Sequence, residues 1–315
     1  MHAFSQLVTL TGPLFALVAL GYALAAWGRW PASAADALTR FVFSIAIPVL
    51  LFKLMSGFAT LPAVDPGILI AYFGGCAIVF VVGRLAALWM FRLDGASQSV
   101  FALGGIFSNN VLLGIPLAKL TLGEAALPAF SLVLVFNALL LWTLVTASVE
   151  WARHGDLSIA GFSKTLREVS ANPIIIGIFA GIAWSYGGVA LPGPIDDTMT
   201  LISQAAVPLS LIALGMGLAE YGIRDGWRQS LAITAVKLVV FPLTVFALAQ
   251  ALALPPRETQ AIVLMAALPV GANVYLMSRQ FDTLNGPVAS SLVLSTALAA
   301  LTTPLTLTLL GAGTS

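Results

Sequence analysis

The chain has 315 residues, 59% of them hydrophobic and only 9% charged, with a mean hydropathy of +1.00 and a formal net charge of +1. A soluble domain of that length needs far more charge to cover its surface, so the composition places the chain in a membrane. A helix needs about 20 apolar residues to cross roughly 30 Å of hydrocarbon. Reading between charged and Gly/Pro-rich breaks predicts an all-α integral membrane fold of ten spans. They fall at about 5–27, 34–57, 67–91, 98–121, 125–149, 171–191, 197–219, 228–253, 258–280 and 286–310. The runs are continuously apolar and too long for the alternating ten-residue strands of a membrane barrel. Connections this short leave no room for a soluble catalytic domain.

The first run ends in Ala23-Leu24-Ala25, which imitates a signal-peptidase site. No Lys or Arg precedes it and it is long for a signal sequence, so it is read as an uncleaved first span. Span 3 holds the single cysteine, Cys76, read as a small core residue. His2 and His154 lie at the terminus and in a loop. No cluster has metal-ligand spacing and no nucleophile sits beside a base, so no metal, cofactor or enzymatic chemistry is expected.

Span 4 contains FSNNVLLGIPLAK, Phe107–Lys119, where two asparagines, a glycine and a proline interrupt the apolar run. Span 9 contains GANV at Gly271–Val274, with Pro269 just before it. An unpaired backbone group in hydrocarbon costs several kcal/mol, so unwound backbone survives only inside protein or beside a wet cavity. A helix broken at mid-membrane presents N–H groups and a positive dipole end at the start of its second half. Asn109, Asn110 and Asn273 add amide donors at the same depth. Two such breaks facing each other suit a carboxylate. The expected break positions are Ser108, Gly114 and Pro116 in span 4, and Pro269, Gly271 and Val274 in span 9. The plainer account is a pair of proline kinks with asparagines bonding neighbouring helices.

The basic residues give an orientation. Loops after the odd spans hold Arg29, Arg40, Arg92, Arg153, Lys164, Arg167, Arg224, Arg228 and Arg279, while the opposite side holds Lys53, Lys119 and Arg257. This bias places the odd loops in the cytoplasm and both termini outside. Arg84, Lys53 and Lys119 lie near enough to span ends to snorkel to an interface. The longest connection, 151–170, is then a cytoplasmic linker in which FSKTLREV is read as a short interfacial helix. It separates a first repeat, 1–150, from a second, 171–315.

The halves match at an offset of 160. SLVL at Ser131–Leu134 recurs at Ser291–Leu294, followed by Leu141/Leu301 and Thr143/Thr303, and Pro48 aligns with Pro208. Each half has an odd number of spans, so the second enters the membrane inverted, an arrangement typical of secondary transporters.

Four stretches, SNNVLLGIPLAKLTLGE, NPIIIGIFAGI, AAVPLSLIALGMGLA and KLVVFPLTVFALAQALALPPRETQAIVLMAALPVGANVYLMSRQFD, resemble the bacterial auxin efflux carrier family, related to the plant PIN-FORMED auxin exporters and distantly to the bile acid–sodium symporters. The resemblance covers nearly the whole chain. It implies helices 4 and 9 broken and crossing at mid-membrane. It also implies a scaffold of helices 1, 2, 6 and 7 that forms a homodimer, and a unit of helices 3–5 and 8–10 that moves as an elevator. The implied substrates are small organic anions such as malonate, malate or auxin-like acids, and the implied location is a bacterial inner membrane. No nucleic-acid partner is expected. The plant motif's asparagine falls on Asn109 and its crossing proline on Ser108. A glutamine of plant span 5 falls on Asn137, which would face the crossing. In span 9 the plant motif's second proline is replaced by Val274, whereas Asn273 agrees with the bacterial pattern.

Lys237 lies some nine residues into span 8, roughly 14 Å deep. All 13 Asp and Glu fall in loops or at span ends, Asp36, Glu124 and Glu220 among them, so none lies at its depth to balance it, and an intramembrane charge is expected to have a partner. Together with Asn109, Asn110, Asn137 and Asn273 it is expected at the substrate site; alternatively it is a structural lysine holding carbonyls of helix 9. The expected function is a secondary-active carrier of organic anions. The alternative is a sodium-coupled symporter of the bile acid type, with Ser108, Asn110, Asn273 and backbone oxygens holding the ion. A channel would need rings of selectivity residues, and an embedded enzyme would need clustered His, Asp, Glu or Cys; neither pattern is found.

Overall fold

A computed structural model describes residues 2–27, 30–57, 59, 65–154, 171, 173–221 and 226–311. Among these the chain is helical, without a strand. In chain order, α1 is His2–Ala26. Helix α2 comprises Ala32–Phe41, Val42–Ala46 and Ile47–Met55 end to end, and α3 is Gly67–Phe91. Helix α4 has two halves, Gly95–Ile106 and Asn110–Thr121; α5 is Leu127–His154, α6 Pro173–Gly187 and α7 Gly193–Tyr221. Helix α8 runs over Trp227–Ala251, α9 again has two halves, Pro256–Ala267 and Ala272–Gln280, and α10 is Asn285–Leu309. Each predicted range contains helix. Six of the helices are long and apolar enough to cross a membrane, those of α2, α3, α5, α7, α8 and α10. Helix α5 continues through His154, past the expected end of the first repeat, because Arg153 is held by the Phe281 carbonyl at 2.5 Å. The interfacial helix expected in the linker lies outside the described residues.

Three helices contain one turn widened to i→i+5 hydrogen bonding: Val42–Ala46, Asn110–Gly114 and Val236–Val240. Each ends two residues before a proline, Pro48, Pro116 or Pro242. Proline lacks an N–H and its ring strikes the carbonyl four residues back. The wide turn moves that carbonyl aside and lets the helix continue.

In lipid, helices associate by close packing more than by hydrophobic transfer, so small residues mark the tightest contacts. A Cβ on Gly21 of α1 would stand 2.1 Å from the Ile212 carbonyl oxygen of α7, and one on Gly181 of α6 would stand 2.5 Å from that of Phe52 in α2. The two contacts are copies of each other: 21 and 181, like 52 and 212, differ by the repeat offset. Gly177, the other small residue of the α6 GxxxG pattern, lies against the Pro48 carbonyl in the same way.

The densest packing lies elsewhere. Tyr72, Phe101, Phe130, Lys237 and Phe241, the largest fully buried side chains, come from α3, α4, α5 and α8. These helices enclose the interruptions of α4 and α9. Cys76 is a buried free thiol among them, as expected of a core residue.

Three further basic residues, Lys53, Lys119 and Arg84, are tethered. Lys53 Nζ donates to Asp196 Oδ1 at 2.6 Å and to Thr200 Oγ1, tying α2 to the start of α7. Lys119 pairs with Glu124 at 3.3 Å. Arg84 donates to the hydroxyls of Ser99 and Ser148.

Candidate functional site

Both interruptions are short stretches of extended backbone. In α4, Phe107 has φ −86° and ψ 106°, and Asn109 forms a tight turn at φ −78° and ψ 63°, closed by Asn110 N–H donating to Ser108 O at 2.9 Å. In α9, Leu268 is extended at ψ 154°, the conformation imposed on a residue before proline, here Pro269. Gly271 is extended as well, at φ −80° and ψ 146°.

The two stretches satisfy one another. Asn109 N–H donates to Pro269 O at 2.9 Å and Gly271 N–H to Phe107 O at 2.8 Å, an antiparallel bridge centred on Ser108 and Val270. Val270 N–H donates to Ser295 Oγ at 3.0 Å. Lys237 Nζ donates to Ala266 O, at the end of the first half of α9, at 2.5 Å. Buried backbone polar groups must be paired, and here the pairing comes from the opposite break and from α8 and α10.

A cavity of about 190 Å³ opens beside the bridge. Ser108, Asn109, Asn110, Asn137, Gly271 and Asn273 line it, with Phe43 of α2 and Ile174 and Ile175 of α6 as an apolar wall. Asn109, Asn110 and Asn137 are buried, and Asn273 is half-buried. Among the described residues, Asn109 Nδ2 and Asn137 Oδ1 have no hydrogen-bond partner, and the Asn110 and Ser108 side chains have only the nearby Tyr72 hydroxyl. A buried polar atom left unpaired costs about 1–3 kcal/mol, so these groups call for a polar guest.

Residues at the start of both second half-helices, Val111 and Leu112 in α4 and Ala272 and Asn273 in α9, also line the cavity. Each helix start carries roughly half a positive charge, so two together offer about one. Among the described residues no charged side chain lines this cavity, so its field comes from backbone and amide dipoles.

Four of the five expected substrate-site residues therefore meet at one cavity, and the fifth does not. Lys237 is fully buried (0% exposed) behind the bridge, over the Phe241 ring at 4.9 Å, and makes its bond to Ala266 O. Of the expected break positions, Ser108, Pro269 and Gly271 lie in the interruptions. Gly114, Pro116 and Val274 do not. Gly114 and Pro116 lie in helix that has already resumed, because the wide turn Asn110–Gly114 accommodates the proline. Val274 is in the first turn of the second half of α9, its N–H bonded to Gly271 O. Sequence reasoning missed the apolar wall, since Phe43, Ile174 and Ile175 carry no mark in a chain this hydrophobic. It also missed Tyr72, whose buried hydroxyl lies beside Asn110 and Ser108.

Comparison with known proteins identifies the family. The family described as "Membrane transport protein" matches residues 7–307. The chain is 27% identical over 300 residues to the "Putative malonate transporter" of Rhizobium meliloti, covering 95% of this chain and 94% of that one. It is 25% identical to an "Uncharacterized transporter" of Methanothermobacter thermautotrophicus, over 92% and 93% of the two chains. It is 20% identical to "Auxin efflux carrier component 8" of Arabidopsis thaliana, over 95% and 96%.

Proposed function

From the premise that this chain belongs to the membrane transport protein family, and is thus an integral membrane transport protein rather than an enzyme, we propose that it is a secondary-active carrier of small organic anions. The substrates are carboxylates such as malonate, malate or auxin-like acids. The observation that carries this reading is the cavity where two bridged helix breaks bring four asparagines and two half-helix starts together. A carboxylate there accepts hydrogen bonds from the Asn amides and from backbone N–H groups, and the paired dipoles offset its charge. A volume near 190 Å³ lies below the 300–1,000 Å³ usual for drug-sized ligands. That favours an acid of a few carbons.

Transport proceeds by alternating access of the elevator type. Ten spans form two inverted repeats, 1–150 and 171–315, joined by the linker 151–170, with α4 and α9 crossing at mid-membrane. The duplicated glycine contacts, Gly21 on Ile212 and Gly181 on Phe52, support the repeat. Helices α1, α2, α6 and α7 serve as the scaffold and dimerise; α3–α5 and α8–α10 move. A cavity with its wall from α2 and α6 and its polar floor from α4, α5 and α9 supports that division. Both termini face the outside of a bacterial inner membrane. Lys237 acts as a positioning residue that holds the first half of α9 while the unit moves.

Sodium coupling is the second reading. It is favoured by Ser108, Asn110 and Tyr72, whose buried polar side chains gather at the α4 interruption. Proteoliposomes separate the readings. Labelled malonate and malate are taken up on an imposed gradient, and dependence of that uptake on sodium selects the symporter. A folded protein that moves no carboxylate under any gradient ends both.

A further inference from the structure

The asparagine cavity holds unpaired groups of both kinds. Among the described residues, Asn109 Nδ2 is a donor without an acceptor and Asn137 Oδ1 an acceptor without a donor. Both side chains are buried, and both line the cavity. An ionised carboxylate can only accept, so it satisfies the first atom and leaves the second bare. A carboxyl group that keeps its proton donates one hydrogen bond and satisfies the second.

The charge available points the same way. The second halves of α4 and α9 start at the cavity and together offer about one positive charge. That is an upper bound, because the first halves, Gly95–Ile106 and Pro256–Ala267, end at the same interruptions with their negative poles. Lys237 is engaged with one of those poles, through Ala266 O. The apolar wall of Phe43, Ile174 and Ile175 offers nothing to a second charge. Of the ionisable side chains near the crossing, Tyr72 and Cys76 of α3 and Lys237 of α8 are buried, and none of them lines the cavity.

We propose that the cavity takes a singly charged acid, so that a dicarboxylic acid enters with one of its carboxyl groups still protonated. The carboxylate accepts from Asn109 and the half-helix starts, and the remaining O–H donates to Asn137 Oδ1. This deepens the carboxylate reading of the site and rests on it.

Malonate and malonamate, which has an amide in place of the second carboxylate, provide the test. Ligand-induced thermal shifts of the full-length protein in sodium-free detergent solution give a half-saturation concentration at each pH. Malonamate keeps one charge throughout, and its amide can still donate to Asn137. Above the second ionisation of malonate its monoanion becomes about tenfold scarcer per pH unit. The half-saturation concentration of malonate should therefore rise about tenfold per unit, while that of malonamate stays flat. A malonate value that stays flat through that ionisation overturns the proposal, because the dianion then binds. Values that rise together for both ligands trace the effect to the protein and overturn it as well. So does sodium that restores malonate binding at high pH, since a cation then supplies the missing charge to a dianion. Binding of neither ligand removes the carboxylate reading itself.

Discussion

Ser108 and Val270 face each other across the two helix interruptions as an antiparallel bridge, with hydrogen bonds of 2.9 Å and 2.8 Å on either side of the pair. A Cβ on Gly271 would stand 2.9 Å from the Ser108 carbonyl oxygen, a backbone atom that cannot swing away. Gly271→Ala should therefore force the two stretches apart, at about 1–3 kcal/mol for an overpacked site. A lower melting temperature together with lost transport is the expected result.

The asparagine cavity predicts a split between two substitutions at one position. Asn137→Ala removes a hydrogen bond to a charged guest, worth about 1.5–3 kcal/mol, so KM should rise about 10- to 100-fold. Asn137→Asp sets a carboxylate against the substrate and should abolish anion uptake while the protein stays folded. Initial-rate measurements in proteoliposomes distinguish the two.

Lys237 is the case where magnitudes decide. Placing a lysine in mid-membrane costs about 2.5–3.5 kcal/mol, and its bond to a buried carbonyl returns about 1.5–3. Those terms nearly cancel, so stability alone does not account for the residue. Lys237→Met should shift the melting temperature little and lower the rate of transport, with KM nearly unchanged because Lys237 does not touch the cavity. Wild-type turnover in a folded Lys237→Met protein would exclude a positioning role.

The duplicated glycine contacts predict paired effects. Gly21→Ala and Gly181→Ala should each destabilise by about 1–3 kcal/mol, since each new methyl group meets backbone. Gly12→Ala on α1 is the control: nothing lies within 4 Å of its Cβ position, so it should be neutral or mildly stabilising. Thermal unfolding in detergent compares the three.

Asp94 caps the first half of α4, accepting from the N–H groups of Ala96 and Ser97, both at 3.0 Å, and from the Ser97 hydroxyl. Those donors, the Ser97 N–H foremost, hold its carboxyl below the usual carboxylate range. A depressed value means stabilisation that is complete above the unfolded value, near 3.9, and lost as pH falls through the folded one. Asp94→Asn should remove that acid-side dependence, and acid unfolding of the two proteins followed in parallel will report it.

Much of this was legible from residue order, for physical reasons. Long apolar runs can only be helices in lipid, and asparagines at mid-span announce a polar place because nothing else keeps them there. The exact interruptions were less legible. Proline at 116 looks like a breaker, yet a widened turn absorbs it, while Ser108 breaks the helix without any intrinsic need to. That break depends on the partner stretch around Val270, 162 residues away in sequence and close in space. Lys237 was recognised as costly, and of its two expected roles the structure shows the second, a lysine holding a helix 9 carbonyl, that of Ala266.

Because the two hydrogen bonds of the bridge at Ser108 and Val270 run between main-chain atoms, they do not pass through the asparagine side chains that line the cavity. Those side chains can therefore be exchanged, at Asn110, Asn137 or Asn273, with the knot itself left tied.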